Sequence, residues 1–358
     1  MGGLNPERPL PAADLDFIVR EAAALWPQLK GARLFVTGST GFFGRWLLES
    51  LFAADGRYGL GVRVVALSRD PARFLDAVPH LAIPGLGWIT GSVATLRPDA
   101  LVGETFDMVI HMATEADLQA SASDPQAAAD VITGGTQRAL EVAARTGARR
   151  FLFTSSGAVY GPQPAGMERI SEDYTGVPDP RDKASAYALP GEAKRKAEHL
   201  CVDHAGRQGL EAVIARGFTF AGPVLPIGGK FAFGNFMGDA LAGGPIVVKG
   251  DGTTIRSYLY GADLAVWLWA LLVRGTSGRA YNVGSEVAVS LSRLAEAVAA
   301  ELGVREIEVL GHAGTGASPD CYVPSTKRAR EELGLRENFG LPEIIRRTAA
   351  WHRADVRH

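Results

Sequence analysis

Cysteine is scarce in this chain. Cys201 and Cys321 are the two present in 358 residues. That excludes a disulfide framework and makes a reducing compartment the expected setting. Long apolar runs are also missing. Val266–Val273 is typical of the longest, far short of the roughly 20 residues that span a bilayer. Residues 1–20 lack an apolar segment and carry Glu7, Asp14 and Asp16, so a secretory signal is not expected. Pro6 stands where a myristoylation signal after Gly2 would need Ser or Thr. Nor is there an excess of either charge: 37 Lys and Arg face 39 Asp and Glu, a net charge of −2. A general nucleic-acid binder carries a basic excess, so that class is not expected. The seven histidines show no metal-ligand spacing; His199 and His204, five apart, do not share a helical face. No metal site, no membrane partner and a cytoplasmic location are the expectations.

What remains is ordinary globular composition, 47% hydrophobic and 21% charged, which excludes disordered and collagen-like chains. At roughly 100–200 residues per domain, the length fits one large domain or two closely joined ones. Residues 11–30 predict an amphipathic helix with Leu15, Ile18, Val19, Ala22 and Leu25 on one face, capped by Asp14 or Asp16 and stopped at Gly31. Strands are predicted at 32–37, 62–67, 106–111, 150–155 and 210–216. Helices are predicted at 45–54, 130–146, 193–204, 290–302 and 342–351. Strand and helix alternate, which predicts an α/β fold with a Rossmann-type doubly wound parallel sheet. The Gly- and Pro-rich stretch 222–252 breaks the rhythm and predicts the start of a smaller lobe. The expected division is 1–30 as a helical extension, 31–220 as a dinucleotide-binding domain, and 221–358 as mainly a substrate lobe, partly interleaved with the first. His111, on a buried strand, reads as a satisfied core histidine. Trp267 and Trp269 read as core or interface residues.

The strongest local signal is Thr37-Gly38-Ser39-Thr40-Gly41-Phe42-Phe43-Gly44, placed after a buried strand and before a helix. Its glycines let the backbone turn sharply and approach a pyrophosphate, and the helix aims free N–H groups at that anion. The second strand ends Ala66-Leu67-Ser68-Arg69, with no carboxylate for a ribose 2′-hydroxyl. A hydroxyl followed by Arg suits a 2′-phosphate, so Ser68 and Arg69 lean toward NADP over NAD.

Several ordered motifs follow: His111-Met112-Ala113-Thr114, Ser155-Ser156-Gly157-Ala158-Val159-Tyr160-Gly161, Lys194 in an Ala/Lys/Glu-rich helix, Arg216 to Pro223, Gly250-Asp251-Gly252, Arg256-Ser257-Tyr258 and Asp263-Leu264-Ala265. With the glycine turn, they make the chain from about Gly31 to its C-terminus resemble an extended short-chain dehydrogenase/reductase. The resemblance is to the NAD-dependent epimerase/dehydratase group that acts on nucleotide sugars. It implies hydride transfer between a nicotinamide and a carbinol carbon. A Tyr phenolate is the implied acid/base, a Ser hydroxyl bonds the same oxygen, and a Lys ammonium lowers the Tyr pKa, which is near 10 unperturbed. Carried over by motif, these are Tyr187, Ser156 and Lys194. The implied cofactor contacts are Gly38, Gly41, Phe42, Phe43, Gly44, Ser68, Arg69, Ser92, Val93, Met112, Ala113, Thr114 and Lys194. The implied substrate contacts are Gly157, Ala158, Thr219 and Arg256, and a homodimer is the implied assembly.

The chain departs from that pattern at several points. Tyr187 lies seven positions before Lys194, where relatives have four; Ala188-Leu189-Pro190 reads as an insertion. In a continuous helix the two side chains would be about 20° apart but ~10.5 Å apart along the axis, against ~6 Å for the usual spacing. Alternatively Pro190 is the first helical residue and Tyr187 precedes the helix; proline disfavours helix at Leu189, which favours this second geometry. Gly91-Ser92-Val93 replaces a Gly-Asp-Val type motif, and Thr219 stands where many relatives have Asn. Ala317-Ser318-Pro319-Asp320 lacks the Arg that many relatives place before Pro. Arg256 is retained and implies a diphosphate clamp, unless it pairs with Asp251 or Asp263. Gly157 and Ala158 stand where dehydratases of the group carry an acid pair and decarboxylases a Glu. Neither can move a proton, which suits an epimerase or a 4-ketoreductase. The expected activity is therefore nucleotide-sugar epimerisation by transient oxidation at C4. NADPH-dependent 4-keto-sugar reduction is the alternative, and a non-catalytic dinucleotide-binding protein is the rival from another class.

Overall fold

The computed structural model describes residues 8–113, 125–179, 188–229, 231–312 and 319–353. Its centre is a seven-stranded sheet. The strands are β1 (Arg33–Thr37), β2 (Arg63–Ser68), β3 (Leu86–Thr90), β4 (Met108–His111), β5 (Arg150–Ser156), β6 (Glu211–Gly217) and a last strand, Ala280–Val283. All neighbours are parallel, in the order Ala280–Val283, β6, β5, β4, β1, β2, β3. Alternation along each strand makes the sheet two-faced. Leu34, Val36, Ile110, Leu152, Val213 and Ala215 enter one core, with the helices Phe42–Tyr58 and Gly261–Arg274. Phe35, Val109, Phe151, Phe153 and Ile214 enter the other, with the helices Pro125–Thr146 and Ala188–Gln208. This is the doubly wound arrangement. After β1 the chain goes to β2 and β3 on one side and then crosses over to β4 on the other, so a crevice opens at the C-terminal ends of β1 and β4, the usual place for a ligand in such sheets. Smaller two- and three-stranded sheets lie outside, among them the one pairing Ile255–Arg256 with Cys321–Tyr322. Among the described residues no helix is long and apolar enough to cross a membrane.

Several elements differ from the sequence expectation. The first helix covers Ala12–Glu21 and is followed by a short 3-10 turn, Trp26–Leu29. Neither Asp14 nor Asp16 caps it, since Pro11 holds the cap position and no side chain caps it. Asp14 is fully buried instead; its carboxylate accepts the Tyr260 hydroxyl at 2.5 Å and pairs with Arg347. The helix carrying Lys194 covers Ala188–Gln208, so Pro190 is not its first residue. A proline in the first turn breaks no intrahelical bond, because that N–H has no partner there. The Gly-rich stretch holds a helix, Ala232–Leu241, whose Phe233, Phe236, Met237 and Ala240 are buried at helical spacing. The edge strand β3 had no sequence signal of its own; its burial is partial. Trp267 and Trp269 are core residues, donating to the Arg336 carbonyl at 3.0 Å and to Ser50 Oγ at 2.9 Å.

Candidate active site

The glycine turn is packed against the chain leaving β4. Gly38 has φ 73°, and a Cβ there would stand 2.6 Å from the Met112 carbonyl carbon. A Cβ on Gly44 would stand 2.3 Å from the Ser39 carbonyl carbon, so the helix starts directly against the turn. That helix begins at Phe42 with Gly41 as its cap residue, and no side chain caps it. An uncapped helix start behind a glycine turn fits a pyrophosphate, which the N–H groups and dipole would hold. Phe43 lies edge-on to Phe220 at 4.9 Å, which ties the turn to the segment after β6.

One chain of hydrogen bonds places the Met112–Ala113 backbone. Thr136 donates to the Ile132 carbonyl at 2.8 Å, so at 3.1 Å it accepts the Nε2 proton of His111. His111 Nδ1 then accepts from Thr37 Oγ1 at 2.7 Å, and Thr37 Oγ1 accepts the Ala113 N–H at 3.2 Å. Burial, with a smaller contribution from the Lys194 charge, holds the His111 pKa down at about 3. His111 is therefore neutral and satisfied, as the sequence predicted.

At the end of β2, Ser68 Oγ accepts the Asp70 N–H at 3.3 Å, and the Asp70 carboxylate caps the helix Pro71–Ala77 through Arg73 N–H at 3.0 Å. Arg69 between them is exposed. The Ser68 carbonyl accepts Gly91 N–H at 2.8 Å, which brings the Gly91–Ser92 turn beside it. Ser92 and Thr95 exchange hydrogen bonds, Thr95 N–H to Ser92 Oγ at 3.3 Å and Ser92 N–H to Thr95 Oγ1 at 3.2 Å. Val93 is buried, and a Cβ on Gly135 would stand 2.8 Å from its Cγ2.

The candidate chemistry gathers at the end of β5. Ser156 caps a short turn, Gly157–Tyr160, by accepting the Ala158 N–H at 3.1 Å, and stays half-buried. Gly191 brings the Lys194 helix against that turn, since a Cβ there would stand 2.5 Å from the Ala158 carbonyl oxygen. Lys194 is buried; its ammonium donates to the Thr154 carbonyl at 2.7 Å and lies 4.8 Å over the Phe153 ring. Burial pulls its pKa down to about 8, opposed chiefly by Glu198. Tyr187 and Thr114 lie outside the described residues.

The segment after β6 and the small sheet of Ile255–Arg256 and Cys321–Tyr322 also reach this site. Tyr322 Oη is 3.5 Å from Ser156 Oγ, and its ring lies 4.6 Å from Phe218. Thr219 is half-buried beside them, its carbonyl accepting Leu259 N–H at 3.1 Å. Arg256 pairs with neither Asp251 nor Asp263. Its partner is Asp320, at 2.6 Å to the carboxylate and 3.1 Å to the carbonyl. Asp251 is taken by Thr253, and Asp263 by Asn338. Nothing local in the sequence marks Tyr322 as a site residue. Glu198 does have a signal, since it sits four residues after Lys194 on one helical face.

The model of the NAD dependent epimerase/dehydratase family matches residues 34–284. UDP-glucuronic acid decarboxylase 1 of Arabidopsis thaliana is 30% identical over 323 residues, 88% of this chain and 69% of that protein. The UDP-glucuronic acid 4-epimerase of Bacillus cereus, solved with UDP-glucuronic acid and NAD, superposes with a TM-score of 0.75 at 22% identity, covering 90% of this chain and 99% of that one. The UDP-glucose 4-epimerase of Thermotoga maritima, solved with UDP-glucose, gives a TM-score of 0.75 at 20% identity, covering 91% and 100%.

Proposed function

The chain belongs to the NAD dependent epimerase/dehydratase family, and from that premise we propose that it is a nucleotide-sugar epimerase working by transient oxidation at C4. The observation that carries this reading is the convergence of the Ser156 hydroxyl and the buried Lys194 ammonium at the end of β5, beside a turn whose Gly157 and Ala158 bear no acid. When bound, NAD would supply reversible hydride acceptance at C4. The Gly38 turn and the helix start at Phe42 would hold its pyrophosphate, the Met112–Ala113 backbone its nicotinamide half, and Ser68, Arg69, Ser92 and Val93 its adenosine half. Ser156 bonds the C4 oxygen of the sugar. Tyr187 takes and returns the proton of that oxygen, and the Lys194 charge favours its phenolate. Arg256 would exchange Asp320 for the diphosphate of the substrate, and Thr219 lines the nucleotide. A homodimer is the assembly that goes with this reading.

UDP-glucuronic acid decarboxylase relatives make decarboxylation a further chemistry to weigh, but Gly157 and Ala158 offer no carboxyl for it. Ser68-Arg69 favours a second reading, a single reduction of a 4-keto sugar by exchangeable NADPH.

Mass spectrometry of the small molecules released on denaturing the purified protein separates the two. Stoichiometric NAD supports the recycling epimerase and removes the NADP preference. NADP or NADPH supports the reductase. Failure to bind either cofactor in a direct titration overturns both and leaves a protein without this chemistry. Tyr187→Phe then tests the acid/base, since full turnover of UDP-glucuronic acid or UDP-glucose by that variant would remove Tyr187 from the mechanism.

A further inference from the structure

Three consecutive residues at the end of β5 are held in three different ways. The Thr154 carbonyl accepts Lys194 Nζ–H at 2.7 Å. Ser155 Oγ donates to Glu198 Oε1 at 2.6 Å. Ser156 is the residue left for the crevice. Lys194 and Glu198 are one turn apart on the same helix, so one helical face is locked to two adjacent positions of the strand.

Glu198 is buried and is gripped again from β6. Arg216 Nε donates to Oε1 at 3.0 Å and Nη2 to Oε2 at 2.6 Å, a two-point fork. The remaining Arg216 nitrogen, Nη1, donates to Tyr160 Oη at 2.8 Å, and the guanidinium lies 4.8 Å over that ring. Burial raises the Tyr160 pKa to about 12, so the phenol keeps its proton and donates it to Asn282 Oδ1 at 2.8 Å. Asn282 Nδ2 in turn donates to the carbonyls of Ile170 at 2.9 Å and Ser325 at 3.0 Å. The path therefore runs from the Lys194 helix, under the site, to the segment that follows Tyr322. The proposed reaction uses none of Glu198, Arg216, Tyr160 and Asn282.

We propose that Glu198 and Arg216 are positioning residues for Lys194: Glu198 holds the ammonium in register with the end of β5 and supplies the negative charge that keeps it protonated, while Arg216 limits how much of that charge Lys194 feels. The proposal rests on the reading in which Lys194 contacts the bound cofactor. The groups facing this pair support it. His111, from β4, is neutral and adds no charge. Cys201, one turn further along the helix, is kept protonated by burial. Glu172 accepts the Asn282 N–H at 2.8 Å, at the Asn282 end of the network. Glu198 is therefore the anion that opposes the desolvation of Lys194.

The test is the affinity of the full chain for NAD, by calorimetric titration across neutral and alkaline pH, with thermal unfolding measured in parallel. In the unmodified protein, affinity falls as Lys194 loses its proton, with a midpoint near 8. Glu198→Gln is expected to move that midpoint down by about one pH unit, because a buried ammonium loses its counter-charge. Above both midpoints its NAD affinity is about tenfold weaker, and midway between them about threefold. Arg216→Gln is expected to move the midpoint up, because Glu198 then acts on Lys194 alone. Opposite signs cannot come from general destabilisation, and either variant carries the test if the other does not fold. Unchanged midpoints with a lowered unfolding temperature would make the pair merely structural and overturn the proposal, as would NAD affinity without an alkaline midpoint in the unmodified protein. Should the protein bind NAD yet turn over neither UDP-glucuronic acid nor UDP-glucose, the epimerase reading falls while the midpoints still decide this one.

Discussion

Gly157 lies directly against the Tyr322 phenol: a Cβ on Gly157 would stand 2.6 Å from Tyr322 Oη and 2.7 Å from Phe218 Cζ. The space in which an acid at position 157 would sit is filled by a hydroxyl delivered from the small sheet of Ile255–Arg256 and Cys321–Tyr322. Tyr322 is held there from both sides, by pairing with Arg256 across the small sheet and by the bond from Val323 N–H to Gln163 Oε1 at 2.9 Å.

Gly157→Asp is therefore expected to fail as a graft of dehydratase chemistry. The new side chain must displace Tyr322 and Phe218, and turnover should fall by about a hundredfold or more with no elimination product. Product analysis by mass spectrometry, with UDP-glucose as probe, checks this. Appearance of a dehydrated sugar would show that the pocket opens to admit the acid.

The Thr37–His111–Thr136 chain predicts a sensitivity to acid. The folded protein holds His111 near pKa 3, against an ordinary 6.5, so the unfolded chain binds the proton first. Stability is complete above about 6.5 and drains as pH falls toward 3, on the order of 5 kcal/mol across the whole window. His111→Asn should flatten that slope, whatever it does to stability at neutral pH. Urea unfolding of both proteins at neutral and mildly acid pH measures it.

Lys194 predicts a second limb of the same sign at alkaline pH. Its folded pKa of about 8 lies below the ordinary 10.5, so between those values the unfolded chain holds the proton and the folded one does not. Stability should rise with pH through that window, by roughly 3 kcal/mol at most, while cofactor binding weakens. Lys194→Met removes both trends and turnover together. A stability curve that stays flat there in the unmodified protein would mean the ammonium stays charged in its buried place.

Asp14 is expected to matter to folding and not to chemistry. Asp14→Ala leaves the Tyr260 hydroxyl without its acceptor and Arg347 with Glu343 alone, at a cost of about 2 kcal/mol. The midpoint of denaturant unfolding should drop accordingly. NAD affinity of the folded fraction should not change, since none of the three side chains is among the residues proposed to hold cofactor or substrate.

The sequence by itself determined what spacing along the chain can express. Leu34 and Val36 enter one core and Phe35 the other, which makes a two-faced central strand, and Gly38 and Gly44 permit approaches that any Cβ would block. Both facts depend on residues a few positions apart, so strand, glycine turn and helix are readable in order, and so is the placing of Ser156 and Lys194 on β5 and the helix beside it. Only the tertiary structure decided which partner each polar group takes. Asp14 has the position of a helix cap and instead meets Tyr260, 246 residues away. Arg256 has nearer carboxylates at Asp251 and Asp263 and instead meets Asp320. Tyr322 reaches Ser156 across 166 residues. A buried charge or hydroxyl must find a partner wherever the packed layers bring one within about 3 Å, and that is set by how the central sheet, helices and small sheets meet, not by distance along the chain.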